Sequence, residues 1–190
     1  ISSGQSLVTR TIRVEDKKDI KKEIQRLLQQ ANLYAFNLSK TSKSTYRRVL
    51  LVRKDHIEKL ENVISDNRTW VVSIRSAGNI LRGEKYVYAF PEATLNKNIT
   101  KEGEVISRMD VETFELDSES ITNKIKILLS STLAEVKRRG SLSSELKINS
   151  NEINDLVKIL ISKRKGNFEI VSKAMEDSYS ADNVSISLEL

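Results

Sequence analysis

Residues 7–35 read LVTRTIRV-E-DKKDIKKEIQRLLQQANLYA, and this stretch sets the class of fold. Its first eight residues are rich in β-branched side chains and read as a strand. From Asp16 the period lengthens: Ile20, Ile24, Leu27, Leu28, Ala31 and Ala35 fall on one stripe of a helix expected from about residue 16 to 35. Lys17, Lys18, Lys21, Lys22 and Arg26 lie largely off that stripe. A strand leading into an amphipathic helix points to a mixed α+β protein.

The pattern continues outward. The Ser/Thr/Lys run at 39–45 breaks the chain, 46–53 (YRRVLLVR) reads as a strand, and Asp55 opens a short helix to about Ile64. Residues 69–75 (TWVVSIR) and 86–90 (YVYAF) read as strands, the second stopped by Pro91. A polar loop over 92–104 precedes an alternating strand at 105–116. A long helix from about Glu119 to Arg138 then carries Ile121, Ile125, Leu128, Leu129, Leu133 and Val136, ending at Arg138-Arg139-Gly140. Helical segments near 142–147 and 151–164 follow, and Val184, Ile186, Leu188 and Leu190 close the chain as a period-two strand.

The expected architecture is therefore an N-terminal mixed or antiparallel sheet with two helices, then a mainly helical part ending in a strand. The change of character at residues 117/118 divides a basic, aromatic-rich part, 1–117, from a helical part, 118–190, whether as two domains or as layers of one. The segment 127–171 has the order of a helix-turn-helix with a wing: ILLSSTLAEVKRRG, SLSSELK, then NEINDLVKILISKRKGN. Base reading by the third helix is opposed by Glu152 and Asp155 near its start, which would face phosphates.

Composition removes several classes of function. The 190 residues are 38% hydrophobic and 31% charged, enough apolar matter for a core, and no apolar run is long enough to span a bilayer. The chain has no cysteine and one histidine, His56, which leaves no thiol nucleophile, no Cys-based zinc site and no ordinary Ser-His-Asp set. No Gly-rich phosphate cradle occurs, and no cofactor is expected. Absence of cysteine also points to an intracellular protein, cytoplasmic or nuclear. The chain begins at Ile1, as expected of an excised or processed piece of a longer protein.

Charge is one-sided. Residues 1–101 hold 20 Lys/Arg against 10 Asp/Glu, residues 102–119 hold one against seven, and 120–190 hold 11 against nine. Seven of the ten aromatic residues also lie between positions 34 and 90, so the basic half is the aromatic half. Positive charge beside exposed rings is what single-stranded nucleic acid needs, since phosphates meet cations while bases stack on rings. The expected binding set is Arg10, Arg13, Arg47, Arg48, Arg53, Arg75, Arg82 and Lys85, with Tyr86, Tyr88 and Phe90 alternating outward while Val87 and Ala89 point inward. Trp70, sharing a face with Val72 and Ile74, is expected in the core.

Two rival readings accompany this one. The chain is alternatively a protein-interaction or structural module, a subunit of a larger complex or a homo-oligomer, docking through the apolar stripes of its second half. A third reading is a metal-dependent nuclease, because Glu135-Val-Lys137 and Glu145-Leu-Lys147 have E-x-K spacing and Asp110 and Glu112 lie on a strand. Glu135 and Lys137 fall within a helix, where residues two apart do not share a face.

Overall fold

A computed structural model describes residues 2–41, 45–112, 117–163 and 166–190. It divides the chain into two compact units, Ile1–Asn96 and Lys97–Leu190. The α+β architecture is as read from the sequence: a sheet with two helices, then helices and strands ending in a strand.

In the first unit, strand β1 (Ser6–Arg13) leads into helix α1 (Lys17–Ser39), a short β2 (Leu50–Val52), helix α2 (Lys54–Val63), then β3 (Thr69–Ser76) and β4 (Val87–Leu95). The sheet order is β1-β3-β4-β2, antiparallel except for the parallel β2–β4 pair. Asp16 caps α1 by accepting from the Lys18 amide, a contact that stabilises a helix start by about 1 kcal/mol. The α1 stripe is buried as its spacing requires, with Leu27, Ala31 and Ala35 fully enclosed. It packs with Leu60 of α2 and Ile64, the residue capping that helix, against Val72, Ile74, Val87 and Ala89 of the sheet. Trp70 joins that cluster half-buried, and its Nε1 donates to Asp66 at 2.8 Å.

Two local expectations change here. Pro91 does not stop β4, which runs on to Leu95 with Pro91 opposite Ile74. The Val87 amide donates to the Val49 carbonyl, so alternate residues of β4, Pro91 among them, aim their amides toward the β2 side. Strand β2 reaches only Ala89, and a proline beyond it removes no ladder bond. Residues 46–49 are also not strand. Instead Asn32 of α1, itself buried, accepts from the amides of Val49 and Leu50 at 2.8 and 3.0 Å and donates to the Tyr46 hydroxyl.

In the second unit, β5 (Asn98–Thr100) and β6 (Val105–Glu112) precede helix α3 (Ser118–Arg139), β7 (Leu146–Lys147), helix α4 (Ser150–Ser162), β8 (Asn167–Ala174), β9 (Ser178–Tyr179) and β10 (Val184–Glu189). The main sheet has the order β6-β8-β10-β7, while β5 pairs with β9. Helix α3 ends where expected, at Gly140 in the left-handed conformation with φ of 107°, a geometry that favours glycine.

The units meet at residues 96/97, upstream of the division that composition suggests. Strand β6 belongs to the second unit because it pairs along its length with β8. The helix-turn-helix reading does not survive. Residues 142–147 form no second helix, and Leu146 and Lys147 instead pair in parallel with Val184 and Ser185. Helix α4 turns Leu156, Val157 and Leu160 into a core shared with Val111, Ile121, Ile125, Leu128 and Ile170. Of the would-be wing, Arg164 and Lys165 lie outside the described residues, as does the 113–116 end of the expected strand.

Candidate nucleic-acid interface

The connection from β3 to β4 builds the site. Residues 77–86 leave β3, and the Gly83 amide, at a φ of 89°, donates to the Ser39 carbonyl at the end of α1 at 2.7 Å. The chain then enters β4 through the Val87–Val49 bond of 2.8 Å, while the Ala77 amide donates to the Tyr88 carbonyl at 2.9 Å. The first two ties hold the loop against α1 and the 45–49 segment, and the third closes its base. A hollow of about 180 Å³ there is lined by Lys40, Arg47, Gly83 and Glu84. A neighbouring one of about 280 Å³ is lined by Asn79, Glu84, Lys85, Tyr86 and Tyr88.

The orientation of β4 follows from its inward pair. Val87 and Ala89 are 2% and 6% exposed, so Tyr86 and Tyr88 turn outward and are 44% and 64% exposed. The Lys85 ammonium stands 5.3 Å from the centre of the Tyr86 ring, a cation–π distance. Leu81, Arg82 and Lys85 are exposed on the same loop.

The structure brings together Arg47, Arg82, Lys85, Tyr86 and Tyr88 from the expected set, and it adds Lys40. The others are dispersed. Arg10 lies near Glu23 of α1 at 3.8 Å, and Arg26 is paired to the same carboxylate. Arg13 sits opposite Thr69, at the other end of the sheet from the loop, about 24 Å away along β3. Arg48 lines a separate groove of about 370 Å³ with Gln25, Gln29 and Tyr46. Arg53 grips Asp55 through two nitrogens at 2.9 and 3.1 Å, and that guanidinium holds the Asp55 carboxyl below its ordinary range. Arg75 is committed to Glu92 and to the Gly4 carbonyl. Phe90 is half-buried beside Pro91 and Val63.

Lys40 was not legible as a site residue, since a bond between residues far apart in sequence, Gly83 to Ser39, brings the end of α1 to this loop. The charge arithmetic sharpens at the division between the two units. Residues 1–96 hold 18 Lys/Arg against 10 Asp/Glu, and residues 97–190 hold 14 against 16.

The carboxylates considered for a metal do not converge. Among the described residues no three His, Cys, Asp or Glu side chains gather in one place. Glu135 is instead clamped by Arg138 through two bonds of 2.8 Å and by Arg139 through another. Arg139 continues to Glu104 at 2.6 Å, tying the end of α3 to the segment before β6. The two guanidinium groups pull the Glu135 carboxyl down from its ordinary 4.5 to about 2. A carboxyl with a lowered folded-state value stabilises above its unfolded-state value and loses that contribution as pH falls toward the folded one. Glu135→Gln is thus expected to lower the melting temperature most near neutral pH. The gap from wild type should shrink between about pH 4.5 and 2. Melting curves of both proteins across that range give the answer, and a gap independent of pH would contradict the clamp.

The apolar stripes of the second half are not free to dock a partner: Ile121, Ile125, Leu128, Leu156 and Leu160 are interior to their own unit. No helix among the described residues is long and apolar enough to cross a membrane.

Comparison with known proteins places the second unit first. Residues 100–190 match a family described as a DUF3084-associated C-terminal helical hairpin. In this chain the two helices of that region, α3 and α4, pack against each other and against a four-stranded sheet. Over 187 residues the chain is 28% identical to an uncharacterized protein of Nostoc sp. (strain PCC 7120), alr4393. That similarity takes in 97% of this chain and 37% of the Nostoc protein, so the chain spans little more than a third of its relative's length. No solved structure matches.

Proposed function

We propose that this chain binds single-stranded nucleic acid without catalysis and with little sequence preference, through the β3–β4 loop of its first unit. The observation that carries this reading is the exposure of Tyr86, at the end of the loop, and Tyr88, at the start of β4, next to Arg82 and Lys85 and beside Lys40 and Arg47. Exposed rings invite base stacking, worth about 1–3 kcal/mol per base, and cations beside them meet the phosphates between bases. The loop offers donors and π faces with Glu84 as its one carboxylate, so holding a strand suits it better than cutting one. An intracellular setting, cytoplasmic or nuclear, accords with the absence of cysteine.

Salt dependence tests this directly. Four cations, Lys40, Arg47, Arg82 and Lys85, each meeting one phosphate imply a slope of log K against log[salt] of about −3, at about −0.7 per contact for single strands. Fluorescence anisotropy of a labelled oligothymidylate across a salt series measures that slope. Absence of binding at low ionic strength would overturn the reading.

A further inference from the structure

The two units share more than a strand order. With the added β5–β9 pair of the second unit set aside, each runs strand, helix, short strand, helix, strand, strand, and each arranges those strands first-third-fourth-second with the short strand parallel to the fourth. The residues agree as well. Asp16, Ile20, Ile24, Leu27 and Leu28 of α1 recur at constant spacing as Asp117, Ile121, Ile125, Leu128 and Leu129 of α3. Both aspartates cap their helices through the side chain, and both sets of isoleucines are buried.

The sheets repeat in register. The β1–β3 ladder is irregular between Ser6 and Val8, and the β6–β8 ladder between Val105 and Ser107. Past that irregularity Ile12 faces Trp70 as Val111 faces Phe168. The cross-strand ion pair Arg75–Glu92 recurs as Lys173–Glu189 at matching positions. A ladder irregularity, an Asp cap, a helical stripe and an ion pair are independent features, and agreement in all four is not demanded by composition.

We infer that residues 1–96 and 97–190 are two copies of one βαβαββ module, and that the first copy alone carries the strand-binding surface. The second half of this inference rests on the nucleic-acid reading above. The registers of β4 and β10 equate Ala89 with Ile186, each opposite the last residue of the preceding strand. Lys85, Tyr86 and Tyr88 therefore correspond to Asp182, Asn183 and Ser185. The module folds with no ring at these positions, so the exposed rings of the first copy are not a requirement of the fold.

The second copy's loop is also acidic, and its carboxylates are engaged by groups of their own unit. Asp177 accepts from the Glu102 amide at 2.9 Å, Asp182 from the Tyr179 amide at 2.8 Å, and Glu176 from the Ser185 hydroxyl at 2.6 Å. Those charges repel a phosphate backbone where Arg82 and Lys85 of the first copy attract it.

The test uses the whole chain and a short oligothymidylate. Titration calorimetry is expected to give one strand per chain, and hydrogen exchange to show protection over 77–90 without protection over 175–187. The variant Lys85→Asp/Tyr86→Asn/Tyr88→Ser, which gives the first copy the residues of the second, is expected to bind about tenfold or more weakly, as loss of stacked bases implies, while melting as wild type does. Binding of two strands per chain, or equal protection of both loops, overturns the inference and leaves the nucleic-acid reading standing. Failure of the wild-type chain to bind at all overturns that reading, and with it the assignment of the surface to the first copy.

Discussion

Leu27→Ala and Leu128→Ala are each expected to lower the unfolding free energy by about 2–5 kcal/mol, the range for deleting a leucine side chain from a closed core. Both leucines are fully buried at the centre of their helices' apolar stripes. Leu27 packs in the cluster with Val72 and Ile74, and Leu128 in the one with Val111 and Ile170. The neighbouring Ile127 supplies the control, because it is 59% exposed on the same helix as Leu128. Ile127→Ala should stay within about 0.5 kcal/mol of wild type, as surface changes generally do. Denaturant unfolding of the three variants measures the contrast. A Leu128→Ala loss no larger than that of Ile127→Ala would contradict the placement of α3.

The second large effect concerns binding rather than stability. Tyr88→Ala is expected to cost about 1–3 kcal/mol of affinity for a single strand if one base stacks on that ring. The fold should hardly change, since the ring is 64% exposed and the core below it is made by Val87 and Ala89. Had the tyrosines pointed inward, the same change would have opened a cavity and cost about 3–5 kcal/mol of stability instead. Melting and anisotropy on one variant separate these cases.

What was legible in the sequence was what local spacing determines. The two long helices follow from their apolar stripes at helical period, from about residue 16 and from about Glu119. The outward turn of Tyr86 and Tyr88 follows from strand alternation around Val87 and Ala89. Misreadings fall where distant pairing decides. Leu142 and Leu146 stand four apart and look helical, yet Leu146 is drawn into a parallel pair with Val184, 38 positions on. Pro91 reads as a stop, yet β2 is too short to need its amide.

The basic half was legible as a charge count but not as a surface. Arg75 meets Glu92 across a hairpin and Arg10 meets Glu23 across the strand–helix packing, so neither was separable by sequence from Arg82. The duplication was present in the letters as Asp-x3-Ile-x3-Ile-x2-Leu-Leu, twice. The repeat is faint in the letters because the offset between copies drifts from 101 in the long helices to 97 in the final strands, and because identity survives mainly at buried positions.

The most direct measurement is the affinity of a labelled oligothymidylate for wild type and for Tyr86→Ala/Tyr88→Ala at one fixed low salt concentration. The expected result is a loss of about 1–3 kcal/mol for each base that stacks, with melting temperatures alike. Equal affinity in the two proteins would contradict the claim that this loop and its rings are where a strand is held.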